Sequence, residues 1–120
     1  MQRSLMLSSD WTGNIDVVFK WFSATTTNNV VWQIAAVCTA DAETDDSAFA
    51  TASTATDAAK GTANQLNDAT ITGWNVATNG GCAAGELMHV KVFRDPAHAS
   101  DNHAGTARLV GVELTIRRAQ

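Results

Sequence analysis

At 120 residues, with 45% hydrophobic and 17% charged side chains, the chain has the apolar content to fold as a single domain and too little charge for a disordered one. A net charge of -4, with eight Lys and Arg scattered along the sequence, excludes a nucleic-acid partner, because that binding is driven by clustered cations that neutralise phosphates. No window reaches the roughly 18 apolar residues of a membrane-spanning helix, and MQRSLMLSSDW lacks the apolar run of a signal peptide, so an intracellular product without a membrane partner is expected.

In chain order, residues 1–10 read as a short arm or a first strand of the single domain 1–120. Asn14 to Ser23, NIDVVFKWFS, alternates with period two, placing Ile15, Val17, Phe19 and Trp21 on one face and Asp16, Val18, Lys20 and Phe22 on the other. Asn29 to Thr39, NVVWQIAAVCT, has small apolar residues on both faces and reads as a central strand, and Trp32, like Trp21, is expected in the core. The turn-forming ATTTNN between them predicts an antiparallel hairpin.

Asp41 to Ala59 is acidic, then rich in Ala, Thr and Ser, which favours a loop with one helical turn near Thr44 to Phe49 and a short edge strand after it. A further short strand is expected over Gln65 to Ile71, and Asn79, Gly80 and Gly81 form the clearest tight-turn signal. Glu86 to Phe93 alternates Met88, Val90 and Val92 against Leu87, His89, Lys91 and Phe93. Arg108 to Ile116 alternates Val110, Val112, Leu114 and Ile116 against Leu109, Gly111, Glu113 and Thr115. The pattern predicts an all-β, antiparallel β-sandwich, jelly-roll-like in arrangement. Cys38 and Cys82 lack Cys-x-x-Cys spacing; one disulfide is compatible with them, but reduced, partly buried thiols are expected of a cytosolic product.

The stretch FRDPAHASDNHAGTARLVGVEL carries the residue types of a reactive site. His98, Asp101 and His103 suit a divalent metal, yet they sit five apart in a Gly- and Ala-rich loop with no cysteine nearby, so no metal is expected. The alternative is a solvated loop in which Asp95 caps a short turn before Pro96. The chain has no G-x-S-x-G elbow, and Asp41, Glu43, Asp45 and Asp46 crowd one loop without the EF-hand pattern. Neither enzymatic activity nor a cofactor is expected. Arg94, Asp95, Asp101 and Arg108 instead predict a rim of ion pairs, if the strands ending at Arg94 and starting at Arg108 are neighbours.

Strands with apolar residues on both faces carry more hydrophobic surface than one sandwich interior hides, so self-association is expected, with Trp11, Val18, Phe22, Trp74 and Phe93 as interface candidates. A second option is a glycan- or receptor-binding surface built on Trp11, Trp74 and the loop acids.

The order of Asp10-Trp11-x-Gly13, VVFKWF, TTTNNVVWQIAAV, ADAETDD, VKVFRD and TARLVGVEL, from about Ser9 to Ile116, resembles a β-structured domain of tailed-phage virion proteins and prophage products. Its most specific pieces are Val31-Trp32, Phe93-Arg94-Asp95 and Ala107-Arg108-Leu109. The resemblance implies a non-enzymatic virion component of the head-fibre, tail-fibre or capsid-decorating kind, homotrimeric, assembled in the host cytoplasm and partnered by capsid or fibre proteins. The chain departs from the pattern in Ala58 to Asn67 and in the Gly80 to Gly85 loop, so no loop-borne specificity carries over.

Overall fold

The computed structural model describes residues 2–43 and 48–117. Among the described residues seven strands form two antiparallel sheets: β1 (Gln2–Met6), β6 (Leu87–Arg94), β3 (Asn29–Thr39) and β4 (Ser53–Ala58) in one, and β5 (Asn67–Trp74), β2 (Ile15–Phe22) and β7 (Arg108–Thr115) in the other. The fold is all-β and of the β-sandwich kind, with no helix among the described residues. Of the helical turn expected near Thr44 to Phe49, residues 44–47 lie outside the described residues, and Ala48 and Phe49 adopt no regular structure.

The period-two patterns set which side chains turn inward. Ile15, Val17, Phe19 and Trp21 of β2 meet Val30, Trp32, Ile34 and Ala36 of β3 in one core cluster with Met88, Val90 and Val92 of β6. Phe19 stacks on Trp32 with centroids 6.3 Å apart, and Trp21 lies tilted against Trp32 at 6.1 Å. These aromatic contacts overturn the expected β2–β3 hairpin. Each strand has one face too apolar for water, and the two faces are buried most fully by meeting across the sandwich rather than lying side by side in one sheet. The connection over residues 23–28 is long enough to cross the layer, and β2 pairs with β5 and β7 while β3 pairs with β4 and β6.

The alternation expected in β7 also breaks. Lys20 pairs with Gly111 but Trp21 with Leu109, so Val110 is an extra residue opposite β2. This bulge reverses the parity of everything before it. Leu109 packs against the core, Val110 is 52% exposed, and Arg108 comes to lie beside Phe22 on the outer face.

Cys38 and Cys82 form a disulfide, with Cα atoms 5.0 Å apart, in place of the two thiols expected. The Asn79-Gly80-Gly81 turn folds back on β3 and brings them together: Cys38 N–H donates to the Gly80 carbonyl, and Cys82 N–H to that of Val76, both at 3.1 Å. A Cβ on Gly80 would stand 3.0 Å from the Val76 carbonyl oxygen and 3.3 Å from Cys82 Sγ, so glycine is what permits the approach.

Candidate functional site

β6 ends at Arg94, and the next thirteen residues cross from one sheet to the other before β7 begins. Successive turns close as His98 N–H bonds the Asp95 carbonyl at 3.2 Å and Asp101 N–H bonds that of His98 at 2.9 Å. Asp101 then points inward. Its carboxylate accepts Arg94 Nε at 2.9 Å and Nη2 at 2.8 Å, and also the Val31 N–H at 3.0 Å. The rest of the Arg94 fork donates to the His103 carbonyl at 2.9 Å and the Gly105 carbonyl at 3.1 Å. Hydrogen bonding from the Arg94 guanidinium holds the Asp101 carboxyl below the usual carboxylate range, against the opposing effect of burial, and Arg94 is held cationic above its ordinary value by the same bonds.

His103 is buried beneath the loop, with Nδ1 2.9 Å from the Thr27 carbonyl oxygen and Nε2 2.9 Å from Ser23 Oγ. A carbonyl only accepts, so Nδ1 carries a proton and donates to Thr27, while Nε2 pairs with the Ser23 hydroxyl. The edge of this imidazole meets Trp21 at 5.8 Å, and Thr25 N–H donates to Ser23 Oγ at 3.1 Å. Asn29 completes the attachment, because its N–H reaches Asn102 Oδ1 at 2.8 Å and its carbonyl takes the N–H groups of Asn102 and His103.

The loop is therefore a clamp on the start of β3 rather than a solvated connection. The three residues that suggested a metal turn to different partners, His98 accepting Ser100 N–H at Nδ1. Among the described residues no three His, Cys, Asp or Glu side chains converge. The expected rim of four charges reduces to the Arg94–Asp101 pair. Asp95 accepts from Gln33 Nε2 at 3.2 Å instead of capping a turn, and Arg108 stands over the Phe22 ring at 5.7 Å, because β6 and β7 belong to different sheets.

The five interface candidates do not form one surface. Trp74 is 1% exposed and belongs to the core, which corrects its placement at an interface: β5 runs on to residue 74 and turns the indole inward. Trp11 packs half-buried against the same core. Val18 and Phe22 are half-buried on the outer face of the three-stranded sheet, Val18 between Thr70 and Glu113 and Phe22 beside Arg108. Phe93 lies on the outer face of the other sheet, where Lys91 Nζ sits 5.2 Å from its ring and 5.1 Å from that of Phe49.

Concave features stand out at two places among the described residues. A pocket of about 430 Å³ opens at the Arg108 end of β7, walled by Phe22, Ser23, Thr25, Asn64, Thr106 and Arg108. An apolar seam of about 290 Å³ runs between the edges of the two sheets, lined by Leu5 of β1, Val90 and Val92 of β6, and Val110, Val112 and Leu114 of β7, with Arg3 at its rim. Among the described residues β1 pairs only with β6, and β7 only with β2, so there both strands flanking the seam present an unpaired edge.

Sequence reasoning missed the partnership of Ser23 with His103, and also Asp57, whose Oδ2 accepts Trp21 Nε1 at 3.0 Å. Burial raises the Asp57 pKa, opposed by that hydrogen bond. Nothing in the Ala- and Thr-rich segment around Asp57 distinguishes it from the other acids. Compared with protein-family models, curated proteins and solved structures, the chain matches none of them.

Proposed function

We propose that the protein is a self-associating β-sandwich unit of a larger assembly, and that its place, following the resemblance in its strands, is a phage particle, as a homotrimeric capsid decoration or fibre component. The observation that carries this reading is the seam. Two unpaired strand edges border an apolar groove on one side of the sandwich, and Val110, at 52% exposure, extends it into solvent. Open edges beside apolar surface are what strand addition and oligomer contacts use. The occupant is a second copy, its own open edges and apolar seam set against this one, and the number of copies, three, follows the resemblance. The finer jelly-roll assignment is part of the same proposal. Successive strands change sheet at every step except β3 to β4, which approaches the alternation of a jelly roll.

The loop chemistry fits a structural role, since Arg94, Asp101, His103 and Ser23 are consumed in binding one another and the backbone. A glycan- or receptor-binding reading keeps one specific observation, the pocket at Arg108, while the burial of Trp74 removes half of the tryptophan platform first expected. Mixing the purified protein with phage capsids and, separately, with host cells tests the assignment. Sedimentation with capsids supports it, and sedimentation with cells alone replaces it with the receptor reading.

A further inference from the structure

The pocket at the Arg108 end of β7 carries a guanidinium with no carboxylate partner among the described residues. Three cations there are matched by carboxylates, Arg94 by Asp101, Lys20 by Asp68 at 3.1 Å, and Arg117 by Asp16 at 2.9 Å, while Arg3, Lys60, Lys91 and Arg108 are not; of these four Arg108 alone lines this pocket. Among the described residues no carboxylate stands within ion-pair distance of Arg108, whose guanidinium is held over Phe22 at 5.7 Å with its donors free. Around the same pocket the Thr25 and Thr106 hydroxyls and the Asn64 side-chain amide have no hydrogen-bond partner among the described residues.

These groups project from a rigid wall. Ser23 is tied through its hydroxyl to His103 and Thr25, and through its carbonyl to Asn64 N–H at 2.9 Å. Asn64 holds a left-handed backbone, φ 63°, at the pocket margin. A Cβ on Gly105 would lie 2.0 Å from Thr25 Oγ1, so loop and wall are in direct contact. A cavity of about 430 Å³ falls within the range of small-ligand sites, roughly 300–1,000 Å³. Its polar inventory is one planar, permanently charged fork suited to a carboxylate, two hydroxyls, and one amide that both donates and accepts.

We propose that this pocket binds a carboxylate-bearing monosaccharide unit, the carboxylate paired with Arg108 and the sugar hydroxyls with Thr25, Asn64 and Thr106. The site is separate from the seam and stands whether or not copies associate. Because the chain as a whole carries a net charge of -4, attraction to an acidic sugar is local to Arg108, and the binding is weak and salt-sensitive.

The test is an NMR amide-shift titration of the intact protein with glucuronate, and with glucose, acetate and sulfate in parallel. The expected result is saturable shifts at Thr25, Asn64, Thr106 and Arg108 with glucuronate, and binding weaker by about tenfold or more with the other three, as loss of a charge-assisted contact or of the hydroxyl contacts requires. Arg108→Gln weakens glucuronate by about tenfold; Thr106→Val, at an exposed position, weakens it several-fold without changing thermal stability. No shifts at these residues overturns the proposal. Glucose binding as tightly as glucuronate removes the role of Arg108, and acetate or sulfate doing so reduces the pocket to a plain oxyanion site; either result also overturns it.

Discussion

Arg94 and Asp101 meet through two parallel bonds of 2.9 and 2.8 Å, and that fork, seven residues apart in sequence, ties the end of one sheet to the loop leading into the other. The Asp101 side chain is only 2% exposed. Arg94→Ala would leave that carboxylate buried with only the backbone N–H groups of Val31 and His103 as partners, at a cost of about 3 kcal/mol, the low end for breaking a buried pair because Arg94 itself reaches the surface. Urea unfolding of Arg94→Ala, Asp101→Asn and the double variant checks it; the double variant is expected to be less destabilised than the sum of the two single changes.

The same pair sets an acid limit. The native carboxyl of Asp101 titrates below its ordinary value of 3.8, so the native state binds its proton less readily than the unfolded chain. The contribution of Asp101 is therefore complete above 3.8 and is lost as pH falls through the native value. Asp57 has the opposite sign. Its pKa lies above 3.8 in the native state, so stability falls as pH rises from 3.8 past that raised value. Asp57→Asn keeps an acceptor for Trp21 Nε1 and is expected to match or exceed the parent's stability at pH 7, an advantage that vanishes in acid. Thermal melts from pH 3 to 8 on both variants decide it.

The disulfide closes a loop between positions 44 residues apart, which includes β4 and β5. Its removal is expected to cost about 2–4 kcal/mol by freeing the unfolded chain. Cys38→Ala with Cys82→Ala should show a lowered melting temperature that reductant does not lower further, while reductant lowers that of the parent.

Gly105 and Gly111 form a matched pair. A Cβ on Gly105 collides with Thr25, and one on Gly111 meets nothing within 4 Å. Gly105→Ala is expected to lose about 1–3 kcal/mol through forced movement of the clamp, and Gly111→Ala to be neutral or slightly stabilising. Denaturant melts of the two variants compare them directly.

Much of the architecture was legible because period two is a local signal. The bounds of β3 and the inward sets of β2 and β6 follow from alternation alone. What alternation does not contain is which strands share a sheet. The β2–β3 connection looks like a hairpin, and only the mutual burial of Phe19, Trp21 and Trp32 across the layer shows that it is a crossover. Val110 was misplaced for a related reason: a one-residue bulge leaves no mark in the pattern of a strand whose residues are apolar at both parities, here Leu109 and Val110. At the candidate site, residue types announced the Arg94–Asp101 pair, but their burial depends on Val31 and Asn29, seventy residues away. The disulfide depended on a turn folding back onto a distant strand, which spacing between two cysteines does not encode.

The seam is the centre of the account, and its most direct test is sedimentation velocity of the parent and of Val110→Asp across the micromolar range. A trimer for the parent, with a folded monomer for Val110→Asp at unchanged melting temperature, is the predicted result. A parent that stays monomeric at every concentration, or a variant that assembles as the parent does, contradicts it.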